Sequence, residues 1–285
     1  MASQVADYEI TSVVADDGPL PCLRARRPLR LREGPDEVTV WVLGPLARTT
    51  WTVARARLEP MAAVRSPGLP DWLEAGAGEW RQRSVIWASA TTPVTSTLAS
   101  PPAGLDTPSR LRAVANAARG AHALHEHGQI HGAICPQAIA LTAPGPSGPA
   151  GTGPGSGGAV LAPPSLADGD QPLTLIGYPP LAYMDPQLLR GEGGRWSDIW
   201  ALGATAHHAL TGAAPFPGIE DLPVVEALAQ LLVAPVPARR ELPAAVSALV
   251  AGCLALDPAD RPTTAEEVAR HLDEAAANWQ NGPTW

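Results

Sequence analysis

With 285 residues, 45% of them hydrophobic and 17% charged, the chain is long enough for one large domain or two lobes with separate cores. Twenty basic residues against 28 acidic ones leave a net charge of −8. That argues against a nucleic-acid partner, which normally leaves a basic stripe. All 20 basic residues are arginines, so no chemistry that needs a lysine amine is available.

Cys22, Cys135 and Cys253 are scattered singly, with neither the paired spacing of a zinc site nor an even count for a disulfide framework. A reducing, cytoplasmic setting is therefore expected. The opening residues MASQVADYEI lack the charged-then-apolar pattern of a signal peptide, and the longest apolar stretch, Ala244 to Leu256, is too short to span a bilayer.

In chain order, Val38–Leu43 and Ser84–Ala88 read as strands, with Gly34-Pro35 and Gly76-Ala77-Gly78 as bounding turns. Leu111, Val114, Ala118, Ala121 and Leu124 carry the spacing of an amphipathic helix. Residues 142–172 are mostly Gly, Pro and Ser and read largely as a flexible insertion. Ser197–Thr211 is apolar on nearly all sides, as a buried central helix is, and Gly212 stops it. A further helix is predicted over about 243–256, and a last one opens at Thr263 with Glu266 completing a capping box, running to Ala276. The expected organisation is a β-rich unit over 1–100 with a hinge near 88–104, a helical unit over 105–276, and a tail over 277–285.

Four motifs in the helical part carry a family resemblance. Ala123–Leu141, containing His131-Gly132-Ala133, resembles the pattern LHxxGIxHRDLKPxNIxL of bacterial Ser/Thr protein kinases. Tyr183–Gly191 resembles YMAPEQLxG, Ser197–Gly203 resembles SDxWSLG, and Leu256–Pro262 ends in the DPxxRP pattern. The resemblance implies an α+β, two-lobed protein-kinase-like fold, with a small β-rich N-lobe and a larger, mainly helical C-lobe.

The same comparison implies that the chemistry is gone. Kinases position phosphates with a lysine, two magnesium ions and a catalytic aspartate. Trp41 stands where the lysine of VAIK belongs, and its usual glutamate partner could be Glu59, but Pro60 follows, so a short helix starting late is predicted. No Gly-x-Gly-x-x-Gly precedes that strand; Gly18 and Gly34 are isolated. Ala133 replaces the base, Cys135 the loop lysine and Ala138 the magnesium-binding asparagine. The strand Leu173–Ile176 fits the approach to DFG, and the triplet then reads Gly177-Tyr178-Pro179. Gly132 replaces the arginine that would read an activation-segment phosphate.

The scaffold positions remain. By resemblance, Asp198 accepts hydrogen bonds from the backbone around His131 and Gly132, with Trp200 and Gly203 completing that motif. Arg261 normally pairs with a glutamate; here the position is Gln187, which leaves Asp185 or water to hold the buried charge. His131 is then a packed structural histidine.

Several features have plainer readings. His122, His125 and His127 lack the Cys or Asp that would complete a metal set, so no metal site and no cofactor are expected. His207 and His208 cannot share a helix face. Trp41 points into the former nucleotide cleft, while Trp279 and Trp285 are candidates for partner contact. The expectation is an inactive kinase-like scaffold or regulator with a protein partner and no ATP or magnesium. A nucleotide or small-ligand sensor, or an enzyme with a re-invented site using Cys135 and His131, are the alternatives.

Overall fold

The computed structural model describes residues 4–16, 20–46, 51–143, 158–164, 180–190, 193–216, 218–232 and 243–279. It is an α+β chain, consistent with a kinase-like fold.

The described Val- and Trp-rich residues up to Ala90 contribute the strands of one antiparallel sheet. Its strands are β1 (Gln4–Val5), β2 (Tyr8–Ala15), β3 (Cys22–Arg26), β4 (Glu37–Pro45), β5 (Trp72–Trp80) and β6 (Arg83–Ala90), in the order β1-β2-β3-β4-β6-β5. The sheet curls like a barrel: a Cβ on Gly78 of β5 would lie 3.0 Å from Ala6, at the end of β1. Gly76-Ala77-Gly78 is thus no turn but the middle of β5. Both glycines leave room for the Trp87 ring, which a Cβ at Gly76 would meet at 2.8 Å.

Helix α1 (Trp51–Ala63) links β4 to β5 and corrects the expectation of a helix beginning at Pro60. Proline removes one amide donor and crowds the carbonyl four residues earlier. Pro60 falls in the last turn, and the helix is held across it by its buried face of Ala54, Leu58 and Met61.

A second antiparallel sheet joins β7 (Val94–Thr97), β8 (Ile139–Thr142) and β9 (Ala159–Leu161) in that order. Strand β9 lies inside the segment expected to be flexible. Ala159-Val160-Leu161 is a purely apolar triplet within it, and all three residues are buried.

The helices follow. Asp106 caps α2 (Thr107–Glu126) by accepting the Ser109 N–H at 2.8 Å. Helix α3 (Arg195–Thr211) ends at Gly212, whose φ of +73° is the left-handed conformation a C-cap needs. Helix α4 (Val224–Leu231) has no counterpart in the sequence reading, and α5 (Ala244–Cys253) stops before Leu256. At α6 (Ala265–Ala277) the cap sits one residue later than expected. Thr264 accepts the Glu267 N–H at 3.2 Å, and the Glu267 carboxylate accepts the Thr263 N–H at 3.0 Å. Among the described residues, no helix is long and apolar enough to cross a membrane.

Helices α2, α3, α5 and α6 bury the largest apolar cluster, with α3 at its centre. Gly203 lets α3 approach α5, since a Cβ there would collide with that of Cys253. A second cluster joins the two sheets: Trp41, Leu43, Leu58 and Ile86 pack with Val94, Ala140, Val160 and Ala162.

Candidate functional site

The loop that follows α2, around His131 and Gly132, is held from both sides by helices. Asp198, one turn into α3, is 1% exposed and saturates its carboxylate with three donors. Its Oδ2 accepts the His131 N–H at 2.9 Å and its Oδ1 the Gly132 N–H at 2.7 Å, while His125 of α2 places Nε2 2.8 Å from Oδ2. Burial alone would push the Asp198 carboxyl up; the His125 bond, the nearby imidazoles and the Gly132 amide outweigh it and hold the carboxyl below its ordinary value. Gly132, at φ +71°, makes the turn that presents both amides.

His131 is fixed as a neutral imidazole. A backbone N–H can only donate, so the Ala133 amide, 3.2 Å from Nδ1, makes that nitrogen an acceptor. Nε2 therefore carries the proton and donates to the Ala162 carbonyl at 2.8 Å. Burial pushes the imidazole down, against the pull of Asp198. With both nitrogens engaged and the side chain sealed, it has no lone pair to offer a substrate.

Cys135 is also sealed, at 0% exposure, and its thiol donates to Gln137 Oε1 at 3.1 Å. Ala133 and Ala138 are buried methyls. Trp41 is 1% exposed, and its indole is walled in by the apolar cluster that spans β4, α1, β7, β8 and β9.

Leu173–Ile176 and Gly177 lie outside the described residues. The strand that follows β8 and pairs with it is β9, and it leads into Ala162-Pro163-Pro164. Ala162 touches the loop through His131 and is 1% exposed. It offers no carboxylate.

Glu59 pairs with Arg55 one turn back, and its side chain is 67% exposed, so it faces away from Trp41 and the loop. The residue of α1 that does reach the loop is Arg57, whose Nη2 donates to the His131 carbonyl at 3.1 Å. The residue is exposed overall, yet its guanidinium is crowded; burial pushes its pKa down and Asp198 partly opposes this.

Behind the loop, Arg261 and Asp185 form an ion pair with bonds of 2.8 and 3.1 Å. Asp185 also accepts the Ser197 hydroxyl at 2.9 Å, and Arg261 reaches the carbonyls of Ala255 and Trp196. Gln187 takes another path: its amide donates to the Leu256 carbonyl at 2.7 Å. Trp200 stacks on Phe216 and lies under the Arg261 guanidinium. A cavity of about 50 Å³ beside this node is lined by Gly132, Tyr183, Met184, Ser197 and Asp198.

The remaining histidines are dispersed. His127 bonds its own helix at the Ala123 carbonyl, His207 the Ala213 carbonyl, and His208 the Tyr183 hydroxyl. No group of three or more His, Cys, Asp or Glu that could hold a metal occurs among the described residues. Trp279 packs back, partly buried, on the main helical core; Trp285 lies outside the described residues.

No family model matches the chain. Similar stretches occur in tyrosine-protein kinase MasK of Myxococcus xanthus (41% identity over 93 residues), serine/threonine-protein kinase PknK of Mycobacterium tuberculosis (36% over 94) and serine/threonine-protein kinase A of Synechocystis (35% over 106). These cover 32%, 32% and 36% of this chain, but only 14%, 8% and 20% of those proteins. They support a protein-kinase-like relationship. The chain thus spans at most a fifth of the relatives named.

Proposed function

We propose that this chain is a two-lobed, kinase-like protein that transfers no phosphate and works by binding a protein partner. The single observation that carries the reading is Trp41. It stands where the resemblance puts the phosphate-pairing lysine, and it is 1% exposed in a cluster with Ala140, Val160 and Ala162. A nucleotide between the two sheets would have to displace this apolar cluster.

The donor set agrees. Magnesium bound beside a nucleotide relies on carboxylates. Of the two positions the resemblance assigns to metal ligands, Ala138 supplies a methyl and Gly177 no side chain at all. Ala133 offers no base, and His131 and Cys135 are buried and hydrogen-bonded, which weighs against a re-invented enzyme. These residues do not fit a magnesium nucleotide. The partner is a protein, not a nucleic acid, and a cytoplasmic setting suits three buried cysteines scattered singly along the sequence.

The test is the melting temperature with and without millimolar ATP and magnesium. A ligand at a hundred times its dissociation constant stabilises the native state by about 2.7 kcal/mol, a shift of at least several degrees for a chain of this size. No shift is expected. A shift that requires magnesium overturns the reading in favour of a nucleotide sensor.

A further inference from the structure

Helix α5 has no charged residue in Ala244–Cys253, a composition normally found where a helix is covered on all sides. Among the described residues, only one side is fully covered. Val246, Val250 and Cys253 face the core, while Ala245 and Ala248 are exposed and Leu249 and Gly252 half-buried. Those four form one face at spacings of three and four residues. With α6 they enclose an open groove of about 490 Å³.

The rim of the groove carries two carboxylates, Asp260 and Glu267, with the His271 ring beside them. Glu267 also accepts the Thr263 N–H, which leaves Asp260 as the more available charge. Arg261 lies in its wall, but that charge is already held by Asp185, with neither side chain exposed. Arg270, exposed on α6, is engaged by Glu274.

We propose that this groove seats one amphipathic helix of a protein partner, with its apolar stripe on Ala245, Ala248, Leu249 and Gly252. A Lys or Arg of that helix meets Asp260 and Glu267. Small residues permit close backbone approach, the groove between two helices has the shape a third fills, and the rim selects a cation. The proposal rests on the protein-binding reading above and gives it a location.

The probe is a fluorescent Leu/Lys amphipathic peptide of about 15 residues, about 22 Å long as a helix, with a Leu/Glu peptide of the same pattern as control. Anisotropy on the full chain should show binding of the Leu/Lys peptide only. Ala248→Arg blocks the floor and should weaken it at least about tenfold; Asp260→Asn should weaken it about threefold. Both positions are exposed, so melting temperatures should stay within about 2 °C of the parent. Equal binding to the Ala248→Arg protein, or equal binding of the Leu/Glu peptide, overturns the proposal. So does concentration-dependent self-association that Ala248→Arg abolishes, which would assign the groove to a second copy. A magnesium-dependent ATP shift with groove binding intact removes only the earlier reading; loss of groove binding without such a shift removes only this one.

Discussion

Asp185 and Arg261 lie 76 residues apart and form a two-pronged ion pair in which neither side chain reaches solvent. The pair ties the segment before α3 to the turn before α6, and it takes over the role that resemblance assigns to position 187. Asp185→Ala leaves a buried guanidinium without a counter-charge and should cost about 3–5 kcal/mol. Gln187→Ala removes the neutral hydrogen bond to the Leu256 carbonyl, with no buried charge left behind, and should cost less, about 1–2 kcal/mol. Urea unfolding of both variants checks the ranking; comparable losses would mean the charge is shared differently.

Asp198 sets an acid limit. Its folded-state pKa is depressed, so its contribution is fully present above the ordinary aspartate value of about 3.9 and is lost as pH falls through the lower folded value. Melting temperature should therefore fall steeply below about pH 4. Asp198→Asn should lower stability at pH 7 and flatten that acid limb, as a thermal scan from neutral to acid pH would show.

Two glycines close to the α5 packing predict opposite outcomes. Gly203→Ala drives a methyl into Cys253 and should cost about 1–3 kcal/mol. At Gly252 the nearest atom to a new Cβ is Pro262 at 4.0 Å, so Gly252→Ala should be neutral or stabilising by up to about 1 kcal/mol through helix propensity. Differential denaturation of the pair is the measurement.

The β5–β6 hairpin turns through Arg81 and Gln82 at φ +49° and +62°, both left-handed without glycine. Such turns favour Asn-Gly. Gln82→Gly should raise stability by about 1 kcal/mol, readable as a higher urea midpoint with an unchanged slope.

Much of this was legible in the sequence because the helical motifs are local. The turn after α2 and the buried α3 with Gly212 at its end follow from short spacings, whereas Asp198 facing the loop, 66 residues away, comes only from the family resemblance. The residues that reading missed act across long separations. Arg57 meets a carbonyl 74 residues on, and Ala162 enters through a strand hidden in a Gly/Pro-rich segment. His125 did leave a signal: it lies four residues beyond Ala121 on the buried face of α2, where a histidine needs a partner. Capping registers and the extent of β5 were missed by one to a few residues because tertiary packing, here the Trp87 ring over Gly76, decides them.

The cluster around Trp41 draws side chains from β4, α1, β6, β7, β8 and β9. One set of buried contacts thus serves both sheets, and neither sheet can lose it alone. The consequence is thermodynamic coupling: the β-rich and helical parts should melt in a single calorimetric transition, with van't Hoff and calorimetric enthalpies in agreement. Trp41→Ala should split that transition in two, freeing the first ninety residues to unfold ahead of the helices.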